Sequence, residues 1–376
     1  MGLPLSKRNK QTFRRFISKR EDEGTEKKRE KMFLPAEWHQ QACVQLTWPH
    51  EDTDWAPVLA DAVSCFCDIA REIVKREPLL IVAQHPQEAQ EALMLRGVSL
   101  DHITFITCPT NDTWARDHAF ITCMDEQQHK VCLNDFQFNG WGLKFAANHD
   151  NCINGTILPS ITHLYQTLGI ETEYANHLDF VFEGGSVESD GEGTLMVTMS
   201  CLLSPNRNNT YSQIEIEERL KNSFHAQRVI WLQHSWLAGD DTDGHIDTVA
   251  RFCSPTSIAY VKCDDPNDDH YDELVSMEKE LQALRTADGH PYTLYPLPLP
   301  DPCYDDEGNR LPATHANFLI INEAVLVPTY HQASKDEEAL HQLRKAFPNR
   351  TVIGIDCRVL ILQHGSLHCS TMQYPQ

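Results

Sequence analysis

From Phe33 onward the chain alternates short apolar runs with stretches in which apolar residues recur every three or four positions. The runs CVQLTWP (43–49), PLLIVAQ (78–84), ITFITC (103–108), VCLNDFQF (131–138), TLMVTMSCLL (194–203), VIWLQ (229–233), SIAYVKC (257–263), YTLYPL (292–297), FLIINEAVLVP (318–328) and TVIGIDC (351–357) are rich in β-branched or aromatic residues, as strands are. Between them, Leu59, Val63, Phe66, Ala70 and Ile73 fall on one helical face. A second helix is announced by a capping box, Ser212 to Glu215, ahead of the stripe Ile216, Leu220, Phe224. ESDGEG (188–193) reads as a hairpin turn. Alternating strands and helices predict an α/β fold, and no Pro- or Gly-rich linker breaks 33–376, so 32–376 is expected to be a single domain. The longest apolar runs are too short and too interrupted to cross a membrane.

Composition changes the picture at the start of the chain. Residues 1–31 carry 11 Lys/Arg and 5 Asp/Glu with few apolar side chains, and are expected to be a disordered basic extension. Its Met-Gly-x-x-x-Ser opening matches a myristoylation pattern, its basic richness faintly matches a transit peptide, and Met32 is an alternative start. The whole chain has net charge −22, which leaves 21 basic against 49 acidic residues in 32–376. Such a body repels nucleic acid and anionic membrane and suits a cationic ligand. Thirteen cysteines lie without C-x-x-C pairing or an apolar signal segment, so reduced thiols and a cytoplasmic location are expected. Cys43, Cys123, Cys253 and Cys263 sit in strand-like runs as core residues. Cys369, in HGSLHCS, has Gly365, Ser366 and His368 around it.

Polar residues crowd four apolar contexts: NDTWARDH (111–118), DFVFEGGS (179–186), GDDTDGHIDTVARF (239–252) and HGSLHCS (364–370). Singly, each reads as a turn, a local ion pair, a solvated loop or a buried thiol. Together they offer Cys, His and several carboxylates. A thiol hydrolase acting on acyl groups wants one orienting acid and an oxyanion hole, which extra carboxylates would oppose. Carboxylates suit a guanidinium, which is planar, charged near neutrality and rich in paired N–H donors. The competing reading is a metal: His245-x-Asp247 in an Asp-rich loop has Mn²⁺ or Zn²⁺ ligand types, but no second cluster at ligand spacing accompanies it.

The motifs PAEW (35–38), TWP (47–49), WARD (114–117), FNGWG (138–142), EGGSVESDGEGT (183–194), CLLSPNRN (201–208), DDTDGHIDT (240–248), NF (317–318) and HC (368–369) occur in order across nearly the whole chain. In these the sequence resembles the agmatine deiminases and related bacterial peptidylarginine-deiminase-like proteins of the pentein, or guanidino-group-modifying, superfamily. The resemblance implies a five-bladed α/β propeller of ββαβ units with its site at the central axis. It also implies Cys369 as nucleophile, His245 as general acid/base, Asp117 and Asp247 as guanidinium-binding carboxylates, and Glu183 as a further carboxylate partnering substrate or His245. It implies no cofactor and no metal.

The reaction so implied is hydrolysis of a C–N bond in a linear amidine, agmatine leading, to N-carbamoylputrescine and ammonia through a covalent S-alkylthiouronium, a step in polyamine metabolism. A peptidylarginine deiminase and a non-catalytic pentein are the alternatives. Trp114, Trp141, Gly365 and Asp241 are expected to line the substrate pocket, with Asp240 and Asp243 adding to the field at its distal end. An inward turn of Arg116 or Arg251 would instead pair an α-carboxylate. Carboxylates beside Cys369 should raise its pKa although attack needs thiolate. The chain departs from the family pattern at Gln363–Leu367, usually Gly-Gly-Gly-Asn-Ile, and at His118–Phe120, usually Thr-Gly-Pro. The expected partner is a small cationic guanidino compound, not nucleic acid or membrane, and a homo-oligomer is allowed.

Overall fold

The structure is a computed structural model and describes residues 31–376; the expectations for the basic extension lie outside the described residues. Met32–Gln376 form one compact unit. Seventeen strands fall into five sheets of three or four strands each. Four of the sheets repeat one plan: an antiparallel pair, then a helix, then a strand parallel to the second of the pair. The plan is seen in Ile121–Asp125, Lys130–Gln137 and Glu171–Val181, with the helix Ile153–Thr167 before the last. It recurs in Glu188–Ser189, Thr194–Thr198 and Arg228–Leu232, in Ala250–Ser254, Ser257–Lys262 and Thr293–Pro298, and in Leu319–Ile321, Ala324–Thr329 and Thr351–Asp356.

The fifth sheet is built from sequence extremes. Thr371–Pro375 pairs antiparallel with Gln41–Thr47, which continues in parallel register into Leu79–Ala83 and Ile103–Thr107. Cys369 is thereby fixed two residues before a buried, fully paired strand.

The apolar periodicities are realised as buried faces. Phe66, Ala70 and Ile73 of the helix Leu59–Val74 are inaccessible to solvent. Ser212 and Glu215 close the capping box at the start of Gln213–Phe224, whose Ile216, Leu220 and Phe224 are buried. Cys43, Cys123, Cys253 and Cys263 are buried and unpaired. The turn 188–193 joins two antiparallel strands, with Gly191 and Gly193 at positive φ.

Two expected strands differ. The run 194–203 leaves the sheet after Thr198, whose hydroxyl caps the short helix Met199–Leu202, so only its first half is strand. The run 318–328 is a hairpin, turned at Asn322 and Glu323, the latter in the left-handed region at φ 64°. No helix among the described residues is long and apolar enough to cross a membrane.

Candidate active site

In every sheet a polar segment stands just before one strand of an antiparallel pair, and these five segments meet. Ala115–His118 brings Asp117, Gly184–Ser186 follows Glu183, Ile246–Thr248 brings His245 and Asp247, Asn317 precedes Leu319, and Cys369 precedes Thr371. The Arg116 amide donates to the Cys369 carbonyl at 3.1 Å, and the Asn317 side-chain oxygen accepts from the His368 amide at 2.9 Å. Asn317 Nδ2 lies 3.3 Å from Cys369 Sγ, and Asp247 Oδ2 lies 3.8 Å from it.

Gly185 marks the centre. A Cβ there would lie 2.6 Å from His245 Nδ1, 2.9 Å from Asp117 Oδ1 and 3.1 Å from Asp247 Oδ2, so only glycine leaves these three groups their positions. Its amide donates to Asp117 Oδ1 at 3.0 Å, and the Trp141 indole donates to Asp117 Oδ2 at 2.9 Å. Trp141 takes left-handed backbone angles (φ 54°, ψ 48°) between Gly140 and Gly142, also at positive φ. That strain aims the indole at the carboxylate. Gly365 is held against Trp114, whose ring carbons would meet a Cβ at 2.3 Å.

A cleft of about 410 Å³ opens over Cys369, lined by Trp114, Asp117, Trp141, Asp241 and Gly365 among others. His245, Asp247 and Glu183 are fully buried beside it. Neither ring nitrogen of His245 has a hydrogen-bond partner; Nδ1 is 3.7 Å from Asp117 and Nε2 is 3.9 Å from Glu183. Asp247 Oδ1 is likewise unpartnered. Burying a polar atom without a partner costs about 1–3 kcal/mol, so three such atoms around one cleft mark a place for a polar ligand.

The charges shape one another. Burial raises the Cys369 thiol, and Asp247 and then Asp117 push it further, well above its ordinary value. Burial and the like charges of Asp247 and Glu183 hold Asp117 up against the pull of His245. Burial would depress His245, but Asp117, Cys201 and Glu183 carry it well above its ordinary value. Glu183, raised by burial alone, is brought below its usual value by Arg207 and His245. Asp247, also raised by burial, is brought down by His368, His245 and Arg251. The directions of these shifts make Cys369 a resting thiol and His245 a resting imidazolium.

Asp240 and Asp243 do not line the cleft. Asp240 accepts from Thr242 and the Gly244 amide and shapes its own loop, while Asp243 is paired with Arg207, Lys144 and Ser204. Asp241 alone of that tract faces the cleft, 3.8 Å from His364. Neither expected α-carboxylate partner turns inward. Arg116 is spent on the His368 carbonyl, Met372 and Gln373, and Arg251 on Glu37, Glu188 and the Phe318 carbonyl. Of the family departures, Gln363 and His364 line the cleft, whereas His118 is buried against Thr47 and Phe138.

Several functional positions escaped the sequence reading. Asn317 stood in a quoted motif without a role, yet it touches the thiol. His368, read only as a neighbour of Cys369, joins Asp247 Oδ2 to Glu37 Oε2 at 2.7 Å each. Arg207 holds both Glu183 oxygens at 3.0 Å. Glu37, in PAEW, and Arg207, in CLLSPNRN, were within quoted motifs, and that membership was the available signal.

Comparison with known proteins identifies relatives along nearly the whole chain. A sequence model of the Porphyromonas-type peptidyl-arginine deiminase family matches residues 33–375. A protein of Marinomonas sp. (strain MWYL1) named a putative agmatine deiminase is 32% identical over 361 residues, covering 91% of this chain and 94% of its own length. A solved Porphyromonas gingivalis protein described as a putative arginine deiminase is 48% identical, covering 92% of this chain and 99% of its own, at TM-score 0.81. A cysteine-to-serine variant of C. jejuni agmatine deiminase with substrate bound is 35% identical, covering 92% and 96%, also at TM-score 0.81. The chain thus belongs to the Porphyromonas-type peptidyl-arginine deiminase family, with the agmatine deiminases as relatives in the pentein superfamily.

Proposed function

We propose that the protein is a cysteine-dependent deiminase that converts agmatine and water to N-carbamoylputrescine and ammonia. The observation that carries this reading is the convergence on Gly185 of two carboxylates and the His245 ring, one of those carboxylates, Asp247, lying 3.8 Å from the Cys369 thiol, with Asp247 Oδ1 and both His245 nitrogens left open. The guanidinium lies between Asp117 and Asp247, which fix its plane and hold its carbon near Sγ. Its positive charge offsets the carboxylates that hold the thiol protonated, so on substrate binding the thiol gives its proton to solvent and becomes the thiolate. A sulfur–carbon bond forms as a C–N electron pair moves onto nitrogen. His245 gives its proton to the departing nitrogen, ammonia leaves, and an S-alkylthiouronium remains. The now neutral imidazole takes a proton from water as the oxygen attacks the same carbon. The carbon–sulfur bond breaks, and the ureido product leaves a free Cys369.

The five sheets are read as the blades of a pentein propeller, each giving its leading segment to an axial site. The tail of agmatine runs between Trp114 and Trp141 toward Asp241, which favours the distal ammonium. Free arginine would bring an α-carboxylate to a cleft where Arg116 and Arg251 are engaged elsewhere and Lys144 is held by Asp243 and the Asp241 carbonyl. An unpaired buried carboxylate costs about 1–3 kcal/mol or more, so kcat/KM should favour agmatine by about two orders of magnitude. Product analysis with agmatine, free arginine and an arginyl peptide side by side tests this. Equal rates, or preference for the peptide, would remove agmatine and leave the deiminase chemistry standing.

A further inference from the structure

The motif CLLSPNRN brings a second thiol to the site, and the reaction above gives it no step. Cys201 is fully buried on the short helix Met199–Leu202. One donor atom from each of Glu183, Cys201 and His245 lies within 4.8 Å of the other two. Thiolate, imidazole and carboxylate together form the donor set of zinc, which holds them at about 2.0–2.3 Å in a tetrahedral arrangement. Tetrahedral ligands then stand roughly 3.3–3.8 Å apart. His245 Nε2 and Glu183 Oε2 are 3.9 Å apart, near that spacing, and the pairs with Cys201 lie within 4.8 Å, so ligation draws the three groups together by about 1 Å at most. Both His245 nitrogens are buried and unpartnered, so the ring has a lone-pair position free for a metal.

The surrounding charge favours a dication. Asp117 lies 3.7 Å from the His245 ring, and Asp247 Oδ2 borders the same small space beside Gly185. Arg207 is the cation at hand, and its charge is shared between Glu183 and Asp243. A carboxylate has about four lone-pair positions, so the two hydrogen bonds from Arg207 leave Glu183 able to bind an ion. The other such group among the described residues, Glu37, Glu188 and His368, has no thiol, and Arg251 already occupies its carboxylates.

We propose that Glu183, Cys201 and His245 form an inhibitory site for a soft divalent cation, zinc above all, distinct from any requirement of turnover. Binding holds the Cys201 sulfur as thiolate and puts the metal in place of the His245 Nε2 proton; displaced protons go to solvent, and the ligated group is neutral overall. With Nε2 on the metal the ring is a neutral imidazole whose remaining Nδ1 proton is far less acidic than an imidazolium's, so it no longer serves as the acid for a leaving nitrogen. The word inhibitory rests on the deiminase reading; the binding site does not.

The test titrates Co²⁺, as a spectroscopic stand-in, and Zn²⁺ into the full-length chain, with Cys201→Ala, Cys201→Ser and Cys369→Ala in parallel. Wild type and Cys369→Ala should each bind one ion and show a thiolate-to-cobalt charge-transfer band with tetrahedral d–d absorption. Cys201→Ala should lose the band and at least about 100-fold in zinc affinity. The zinc concentration that halves agmatine turnover should rise at least tenfold in Cys201→Ala, measured against that variant's own rate in chelator. Cys201→Ser, nearly isosteric, gives the same readings if the alanine variant folds poorly. A band kept by both Cys201 variants but lost in Cys369→Ala would place the ion on the nucleophile and overturn the proposal, as would no band in wild type. Absent agmatine turnover with the expected band pattern would instead overturn the deiminase reading alone.

Discussion

Two clusters of buried charge flank the dipeptide His368–Cys369, and they differ in how their hydrogen bonds are filled. Around His368, Asp247 Oδ2 and Glu37 Oε2 each sit 2.7 Å from a ring nitrogen, and Arg251 ties Glu37 to Glu188. Burial alone would raise Glu37, but Arg251 and His368 pull its carboxyl far below the usual range. Around Cys369, equally buried, Asp247 Oδ1 and both His245 nitrogens have no partner. One carboxylate, Asp247, belongs to both clusters: one oxygen is fixed by the scaffold and the other is left for what enters. Completed networks hold shape, and incomplete ones wait for a ligand.

The sharpest break of this contrast is on the open side. Cys369→Ser should lower kcat by at least about 10⁴-fold, because the nucleophile is removed while the carboxylates remain. It should leave the unfolding free energy within about 1 kcal/mol, since the replaced thiol closes no network. Acid-quenched wild type should carry the thiouronium on Cys369, and an adduct on any other cysteine would overturn the assignment. On the filled side the balance reverses. Arg251→Met should cost about 3–5 kcal/mol in urea unfolding at pH 7, because Glu37 and Glu188 stay buried without their cation. The Glu37 share has a definite sign. Its folded pKa lies below the unfolded value near 4.5, so its contribution is full above that pH and fades as pH falls toward the folded value. An Arg251→Met protein as stable as wild type would show that the two clusters do not differ as described.

The smallest effect concerns the thiol itself. With its pKa raised by burial, Asp247 and Asp117, Cys369 is protonated at pH 7. Its alkylation by iodoacetamide should be slow there and climb about tenfold per pH unit through pH 9 without levelling. Asp117→Asn removes one of the two carboxylates and should speed alkylation at pH 7 by about two- to tenfold. A plateau below pH 8 in wild type would mean a resting thiolate.

What was legible in the sequence follows from what is local. The helix Leu59–Val74, the capping box at Ser212 and most parallel strands announce themselves by short-range pattern. Ile121–Asp125, Ala250–Ser254 and Thr371–Pro375 do not, because each of these strands mixes polar and apolar residues as it leaves the site. The hairpin at Glu323 was hidden because its turn is only two residues long, the half-buried Asn322 and the exposed Glu323, too brief a polar break to divide the apolar run 318–328. Of the site, cysteine, histidine and carboxylates were identified through motif resemblance. Their partners were not, because Glu37 and His368, or Cys201 and His245, become neighbours only through folding.

The pairing of Thr371–Pro375 with Gln41–Thr47 also sets the order in which the protein can mature. Contacts that span so much of a chain close late, after local sheets have formed, because loop closure has to precede their reward. Catalytic competence is therefore a reporter of finished folding: on refolding, turnover should return after most of the secondary structure. Until that closure, QACVQLT offers one open, largely apolar strand edge, the kind that recruits other chains. The strand behind Cys369 is at once the anchor of the nucleophile and the cover over the edge most exposed to aggregation.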